Sequence, residues 1–120
     1  MKIISELCQN HNGNMDLLES MIKSAASNSD ILKIQSIKAD TFTNRKEYEN
    51  FRPFKEEYHR LKELELSKED EEFFIFKCME YGVDSMTTIF TPKHADYFNE
   101  LGYTNLKISG YSIPAFDYGK

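Results

Sequence analysis

Apolar residues follow two spacings along this chain, and the two spacings alternate. Short runs of branched apolar residues predict strands, whereas apolar residues that recur every three or four positions predict helices between them. The predicted strands span residues 3–7, 31–37, 85–90 and 105–109, and the predicted helices span residues 15–25, 68–81 and 92–101. Strands that alternate with helices indicate right-handed crossovers and a parallel sheet.

One stretch breaks this alternation, a polar and aromatic insert at residues 38–65. Its aromatic residues lie three or four positions apart, which allows a helix, although Pro53 interrupts it. After the insert, Ser67 has the character of a helix N-cap. Asp70 occupies the capping-box position, where its side chain is shorter than that of the ideal partner.

Two parallel architectures fit this order of elements. An open doubly wound sheet is complete at this length, whereas a (β/α)₈ barrel needs about 250 residues, so that the chain supplies roughly half of one. In both architectures the functional residues gather at the carboxyl ends of the strands.

Composition narrows the class of protein. The chain has 120 residues, of which 40% are hydrophobic and 29% are charged, which is enough for one small domain. Its net charge of −5 argues against a nucleic-acid binder. No apolar run approaches the roughly 20 residues that span a bilayer, and the N-terminus lacks the apolar core of a signal peptide. Cys8 and Cys78 have neither metal-ligand nor disulfide spacing, so a reducing cytoplasm is the expected location.

Polar residues within the strands carry the candidate chemistry, because buried parallel strands are normally almost wholly apolar. These residues are Glu6, Lys33, Gln35, Thr87, Thr88, Lys107 and Ser109. A buried lysine is costly unless an anion pairs with it, so we expect Lys33 and Lys107 to hold a phosphate or a carboxylate. The hydroxyls of Thr88 and Ser109 would assist. Two alternatives stay open: the lysines lie at edges and reach water, or Glu6 pairs with Lys33.

The first strand-to-helix loop, Asn10-His11-Asn12-Gly13, can present amide donors and an imidazole to a substrate. His11, His59 and His94 do not form a recognisable set of metal ligands, and no metal site is predicted from them. The sequence also lacks the glycine-rich motifs of nucleotide-binding loops.

Two further features have simple structural interpretations. Cys8 is expected to be a small apolar filler. The aromatic stripe of the second predicted helix, at Phe73, Phe74 and Phe76, is expected to belong to the core.

Six short motifs, in order along the chain, resemble those of the N-acetylneuraminate (sialic acid) synthase family, also called NeuB-like. The motifs are Ser5-Glu6-Leu7-Cys8-Gln9-Asn10-His11-Asn12-Gly13-Asn14, Lys33-Ile34-Gln35, Glu65-Leu66-Ser67, Thr87-Thr88-Ile89-Phe90, Glu100-Leu101-Gly102 and Lys107-Ile108-Ser109-Gly110. The first of them is the most specific. Three positions depart from the family pattern: Ser5 replaces an alanine, Cys8 replaces a glycine, and the segment after Ser109 lacks the family's glutamate.

The resemblance implies an α/β fold, a partial TIM (β/α)₈ barrel of about the first four strands and three helices. Residues 1–120 would form the N-terminal half of the barrel domain, without the C-terminal half and the antifreeze-like domain. The implied reaction condenses phosphoenolpyruvate with an N-acetylated amino sugar, such as N-acetylmannosamine, to a nonulosonic acid. The related synthesis of 3-deoxy sugar acids is a neighbouring alternative, and the Asn-His-Asn-Gly run favours the sialic-acid branch.

The resemblance also implies roles for individual residues and for partners. Glu6 is the catalytic candidate; the substrate-binding candidates are Lys33, Lys107, Thr88 and Ser109 at the phosphate, Gln35 at the sugar, and Asn10 and His11 at the floor of the site. A divalent metal, Mn or Mg, would be held by ligands outside this chain, and family enzymes are expected to be homodimers. The alternative hypothesis is a non-catalytic, phosphate-binding half-barrel that dimerises or pairs with a complementing chain.

Overall fold

The computed structural model describes residues 1–38, 54–90 and 92–108. Its elements in chain order are β1 (Ile4–Cys8), α1 (Met15–Ala26), β2 (Ile31–Gln35), α2 (Phe54–Leu64), α3 (Lys68–Glu80), β3 (Asp84–Ile89), a 3₁₀ turn (Pro92–His94), α4 (Ala95–Leu101) and β4 (Asn105–Ile108). The predicted strands are confirmed to within about two residues at each end. Ser109 and Gly110 lie outside the described residues.

The four strands form one parallel sheet in the order β1-β2-β3-β4. Neighbours in sequence are therefore neighbours in the sheet, as in a (β/α)₈ barrel, whereas a doubly wound sheet reverses its strand order. The fold is thus α/β, with the first four strands of such a barrel. Residues of the polar insert, whose aromatic spacing allowed a helix, form α2 in addition to the three predicted helices. None of the described helices has the length and apolar character that a membrane span requires.

One face of the sheet packs against the helices and contains the core. Leu32 and Ile34 of β2 are fully buried there, since alternate residues of a strand point to the same face. The helices contribute buried residues to the same cluster, namely Leu18, Ile22, Phe74, Ile75, Cys78 and Phe98. The residues between the core positions, among them Lys33, consequently point to the opposite face.

The aromatic stripe of α3 is only partly a core feature. Phe74 is fully buried, Phe73 is half-buried, and Phe76 is 61% exposed. Positions 73, 74 and 76 cannot all face the same side of a helix with 3.6 residues per turn. The expectation that all three belong to the core is therefore wrong for Phe76.

Polar side chains fix where two of the helices begin. Asn14 caps α1 by accepting a hydrogen bond of 3.1 Å from the N–H of Leu17. At α3, the Asp70 N–H donates to Ser67 Oγ at 3.1 Å, and the Ser67 N–H donates to Asp70 Oδ2 at 3.2 Å. The aspartate thus completes a capping box despite its short side chain.

Three residues between the end of β1 and the start of α1 have positive φ angles. Cys8 and Asn12 both have φ of 53°, and Gly13 has φ of 74°. The pairing register between β1 and β2 shifts at Cys8. A Cβ atom at Gly13 would lie 3.3 Å from the carbonyl oxygen of Glu63, so the loop packs closely against α2. Cys8 is half-buried and outside the core cluster, which corrects its interpretation as an apolar filler.

We expect Cys8→Gly to be more stable than Cys8→Ala by about 1 kcal/mol, because a Cβ atom is unfavourable in the left-handed conformation. Cys8→Ala is the matched control, since it removes the sulfur and keeps Cβ. Urea unfolding of both variants measures the difference. Equal stability of the two would show that the backbone conformation at position 8 carries no cost.

A candidate active site at the carboxyl ends of the strands

The strand register places the predicted polar residues on the face of the sheet opposite the helices. One row across the sheet consists of Glu6, Lys33, Met86 and Asn105, and the row two residues further along consists of Gln35, Thr88 and Lys107. Both rows belong to the same face because the side-chain period of a strand is two. The structure therefore brings together all the described strand candidates except Thr87, which points towards the helices.

Lys33 and Glu6 form an ion pair at the centre of this face. Lys33 Nζ donates to Glu6 Oε1 at 2.6 Å, and Glu6 Oε2 accepts a 3.0 Å hydrogen bond from the Cys8 N–H. The lysine side chain is 5% exposed and the glutamate side chain is 38% exposed. Lys33 therefore does not reach water, and the pairing with Glu6 that the sequence left open is formed. Lys107, by contrast, is exposed, so the argument from a buried lysine does not extend to it.

Thr88 contributes a buried hydroxyl to the same face. The residue is 5% exposed, and its Oγ1 has no hydrogen-bond partner among the described residues. A buried hydroxyl without a partner costs about 1–3 kcal/mol, and native proteins rarely keep one without a reason. A ligand oxygen or nitrogen at this position would satisfy it.

His11 is a second buried group with unused hydrogen-bonding capacity. Its side chain is fully buried in the loop after β1, and its Nδ1 accepts a 2.9 Å hydrogen bond from the Gly13 N–H. The neutral imidazole therefore carries its proton on Nε2, which finds no acceptor within the described part of the chain. Burial lowers the pKa of His11, and the nearby charge of Asp70 offsets this only in part. Asn10, on the same loop, is exposed.

Helix α2, which the aromatic spacing of the insert allowed, flanks this loop. Arg60 Nη1 donates to Gln9 Oε1 at 3.4 Å, and the Glu63 carbonyl oxygen lies close to Gly13. The helix belongs to the polar insert, whose mixed charges hide its amphipathic spacing. It thereby places a guanidinium beside the candidate site.

The described residues do not fit a metal ion. Across residues 1–38, 54–90 and 92–108, no three His, Cys, Asp or Glu side chains lie together as metal ligands. We therefore assign no chemical step to a metal within this part of the chain.

A further polar cluster was missed in the sequence. Ser36, Glu71, Thr87 and Tyr103 meet on the helix-facing side of the sheet. The signal for it was available, because Glu71 lies on the same helical face as the buried Phe74 and Cys78.

Fold and site together define the class: an α/β, barrel-type protein with a polar site at the carboxyl ends of its parallel strands. The family model of the NeuB family matches residues 21–118, and the chain belongs to this family. It is 34% identical, over 123 residues, to the N,N'-diacetyllegionaminic acid synthase of Legionella pneumophila. That alignment covers 97% of this chain and 35% of the relative, so the chain spans about a third of the relative's length.

Solved structures agree with the assignment of the fold. The N-acetylneuraminic acid (sialic acid) synthetase of Leptospira borgpetersenii, crystallised in complex with citrate, superposes with a TM-score of 0.78 at 23% identity. The match covers 97% of this chain and 39% of that one. The spore coat polysaccharide biosynthesis protein spsE of Bacillus subtilis superposes with a TM-score of 0.72 at 24% identity, over 98% of this chain and 32% of that one.

The Glu6–Lys33 pair predicts an asymmetry between its two partners. Glu6→Gln leaves a buried ammonium without its counter-charge and is expected to lower the free energy of unfolding by about 2 kcal/mol. Lys33→Met is expected to cost less, because the remaining carboxylate is exposed enough to be hydrated. Urea unfolding of both variants tests this, with Glu100→Gln at an exposed position as the control. A larger loss for Lys33→Met would contradict the interpretation of Lys33 as the desolvated partner.

His11 predicts a loss of stability on acidification. Because its pKa in the folded chain lies below the ordinary 6.5, the unfolded chain takes up a proton first as the pH falls. The contribution of the neutral imidazole to the free energy of unfolding is therefore complete above pH 6.5. It is lost as the pH falls through the lower pKa of the folded chain.

His11→Asn keeps an acceptor near the Gly13 N–H but cannot titrate, so it is expected to reduce the slope of stability against pH between about pH 5 and pH 7. Urea unfolding across that range measures the slope. His59→Asn, at an exposed histidine, is the control for the substitution itself. An unchanged slope in His11→Asn would show that His11 is not held neutral by burial.

Proposed function

We propose that this chain is the N-terminal half of the barrel domain of a nonulosonic acid synthase. The enzyme would condense phosphoenolpyruvate with an N-acetylated amino sugar such as N-acetylmannosamine. Membership of the NeuB family supports the reaction class. The observation that carries the proposal is the desolvated ammonium of Lys33, which Glu6 holds on the same face as the buried Thr88 hydroxyl. Among the described residues this hydroxyl has no hydrogen-bond partner.

Phosphoenolpyruvate matches this face because it is a small molecule with a phosphate and a carboxylate. Lys33 would donate to one anionic group, and the Thr88 hydroxyl would donate to a neighbouring oxygen. Lys107 lies in the same row as Thr88, and strand spacings put its Cα about 12 Å from that of Lys33. Two extended lysine side chains can close on one phosphate across that distance. Ser109, which lies outside the described residues, is proposed to assist them.

The remaining candidates would contact the sugar substrate or hold the other side chains of the site in position. Glu6 fixes the position of the Lys33 ammonium through a 2.6 Å hydrogen bond, and we propose it as the catalytic carboxylate. The Nε2–H of His11 would donate to a substrate oxygen from the floor of the site, next to Asn10. Gln35, two residues along the strand from Lys33, would face the sugar.

The proposal also covers the divalent metal and the oligomeric state of the complete enzyme. By resemblance the complete enzyme would use Mn or Mg and would form a homodimer. The described residues supply no set of metal ligands, so their proposed work is to bind and orient the substrates and to neutralise the developing negative charge.

Binding of phosphoenolpyruvate to the purified protein is the first test. Lys33→Met is expected to raise its Kd by about tenfold or more, because it removes a charged hydrogen-bond donor. Isothermal titration calorimetry measures the change. Lys23→Met, at an exposed lysine of α1, is the matched control and should bind as the unmodified protein does. Equal Kd values for the two variants would show that Lys33 does not bind phosphoenolpyruvate.

Turnover is the second test. The full product of the reading frame is incubated with phosphoenolpyruvate, N-acetylmannosamine or a diacetamido analogue, and Mn²⁺ or Mg²⁺, and released phosphate is measured. Product acid and phosphate in equal amounts are expected, with loss of turnover but not of binding in Glu6→Gln. Binding without turnover of any of these sugars would favour the non-catalytic, phosphate-binding half-barrel.

A further inference from the structure

Lys33 lies on a strand between two polar groups that belong to different neighbouring strands. Its own strand, β2, pairs with β1 on one side and with β3 on the other. Its register partner on β1 is Glu6, and its register partner on β3 is Met86. Thr88 follows Met86 two residues further along β3, on the same face of the sheet. Glu6 and Thr88 therefore flank Lys33 from opposite sides.

The Lys33 ammonium is drawn to the β1 side. Nζ donates to Glu6 Oε1 at 2.6 Å, and the lysine side chain is 5% exposed. On the β3 side, the thioether of Met86 is only a weak hydrogen-bond acceptor. A buried charge is unfavourable without an opposite charge beside it. Glu6 is therefore the group that stabilises this ammonium in the unliganded structure.

The Thr88 hydroxyl remains on the opposite side of Lys33. Thr88 is buried, and its Oγ1 has no hydrogen-bond partner among the described residues. An oxygen of an anionic ligand would satisfy this hydroxyl and would need a cation close to it. Lys33 is a buried lysine of the same face. To serve that ligand, its ammonium has to turn from the β1 side towards the β3 side.

Glu6 is placed so that it can lose the ammonium without becoming a buried, isolated charge. Its side chain is 38% exposed, and its Oε2 accepts a 3.0 Å hydrogen bond from the Cys8 N–H. After Lys33 leaves, the carboxylate would keep this hydrogen bond and would be hydrated on its exposed side. The ammonium would meanwhile exchange one charged hydrogen bond for another.

We propose that Glu6 is an internal competitor of the anionic ligand. It holds the Lys33 ammonium in the unliganded protein, and the ligand binds by drawing that ammonium away from Glu6 towards Thr88. Every anion that needs Lys33 then binds more weakly than it would without the carboxylate. The inference rests on the anion site of the function proposed above, but it does not require that the anion be phosphoenolpyruvate.

Glu6→Gln, made in the full product of the reading frame, separates competition from simple positioning. The glutamine keeps the length of the side chain and an oxygen that can accept from Lys33, but it has no charge. We expect this variant to bind phosphoenolpyruvate and inorganic phosphate about tenfold more tightly, although it is less stable. A residue that only positions Lys33 would give an unchanged or a higher Kd, and that result would overturn the proposal.

Isothermal titration calorimetry with each anion, at one pH and one ionic strength, measures these Kd values. Glu100→Gln, at an exposed position of α4, is the matched control because it removes the same charge from the protein. Its Kd for both anions should equal that of the unmodified protein. An equal gain in affinity in the control would show that net charge, rather than the position of Glu6, weakens anion binding.

A double-mutant cycle tests whether Glu6 acts through Lys33. Glu6→Gln is combined with Lys33→Met, and its effect on the Kd for inorganic phosphate is compared with its effect in the unmodified protein. We expect most of the gain in affinity to disappear when Lys33 is absent. A gain of the same size in both backgrounds would show that Glu6 repels the anion without competing for Lys33.

A crystal structure of the unmodified protein with inorganic phosphate gives the answer if Glu6→Gln does not fold. The expected result is a phosphate oxygen on Lys33 Nζ, with Glu6 Oε1 beyond hydrogen-bond distance. A phosphate on Nζ with the contact to Glu6 still in place would overturn the proposal.

The two anions distinguish failure of this inference from failure of the proposed function. If Glu6→Gln binds inorganic phosphate more tightly but does not bind phosphoenolpyruvate, the competition stands and the proposed function is wrong. If Glu6→Gln binds neither anion, there is no anion site at Lys33, and both are wrong.

Discussion

A buried lysine in a parallel sheet is the constraint on which the rest of this site depends. The ammonium of Lys33 is removed from water and held at 2.6 Å by Glu6. Burying a charge is unfavourable unless a counter-charge and further hydrogen bonds compensate, and Glu6 is itself fixed by the Cys8 N–H. The same residue, Cys8, has a φ of 53° at the end of β1. The unusual backbone of the loop and the ion pair are thus parts of one arrangement.

Polar side chains lie on both faces of the sheet, in different surroundings. The open face bears Glu6, Lys33 and Thr88, which we propose as the binding site of an anionic ligand. The helix-facing side bears Ser36, Glu71, Thr87 and Tyr103, which hydrogen-bond to one another in the interior. Ser36 and Thr87 are adjacent in sequence to Gln35 and Thr88, so the two polar groups lie back to back across the sheet.

The alternation of strands and helices and the shared face of the polar strand residues were predictable, because both follow from side-chain periodicity. The Glu6–Lys33 pair was predictable as one of two options, since periodicity gives the face but not the partner. Helix α2 was less predictable, because its apolar residues are few and Pro53 precedes it. The burial of Glu71 was missed because an acidic residue in the first turn of a helix is usually exposed, although Glu71 shares a helical face with Phe74 and Cys78. The positive φ at Cys8 could not be predicted from the sequence, because cysteine seldom adopts that backbone conformation.

The measurement that most directly tests the central claim is a crystal structure of the full product of the reading frame with phosphoenolpyruvate. The expected result is a phosphate or carboxylate oxygen within hydrogen-bond distance of Lys33 Nζ, with the Thr88 hydroxyl in contact with the same ligand. Phosphoenolpyruvate bound away from the carboxyl ends of β2 and β3, with Lys33 contacting Glu6 alone, would contradict it.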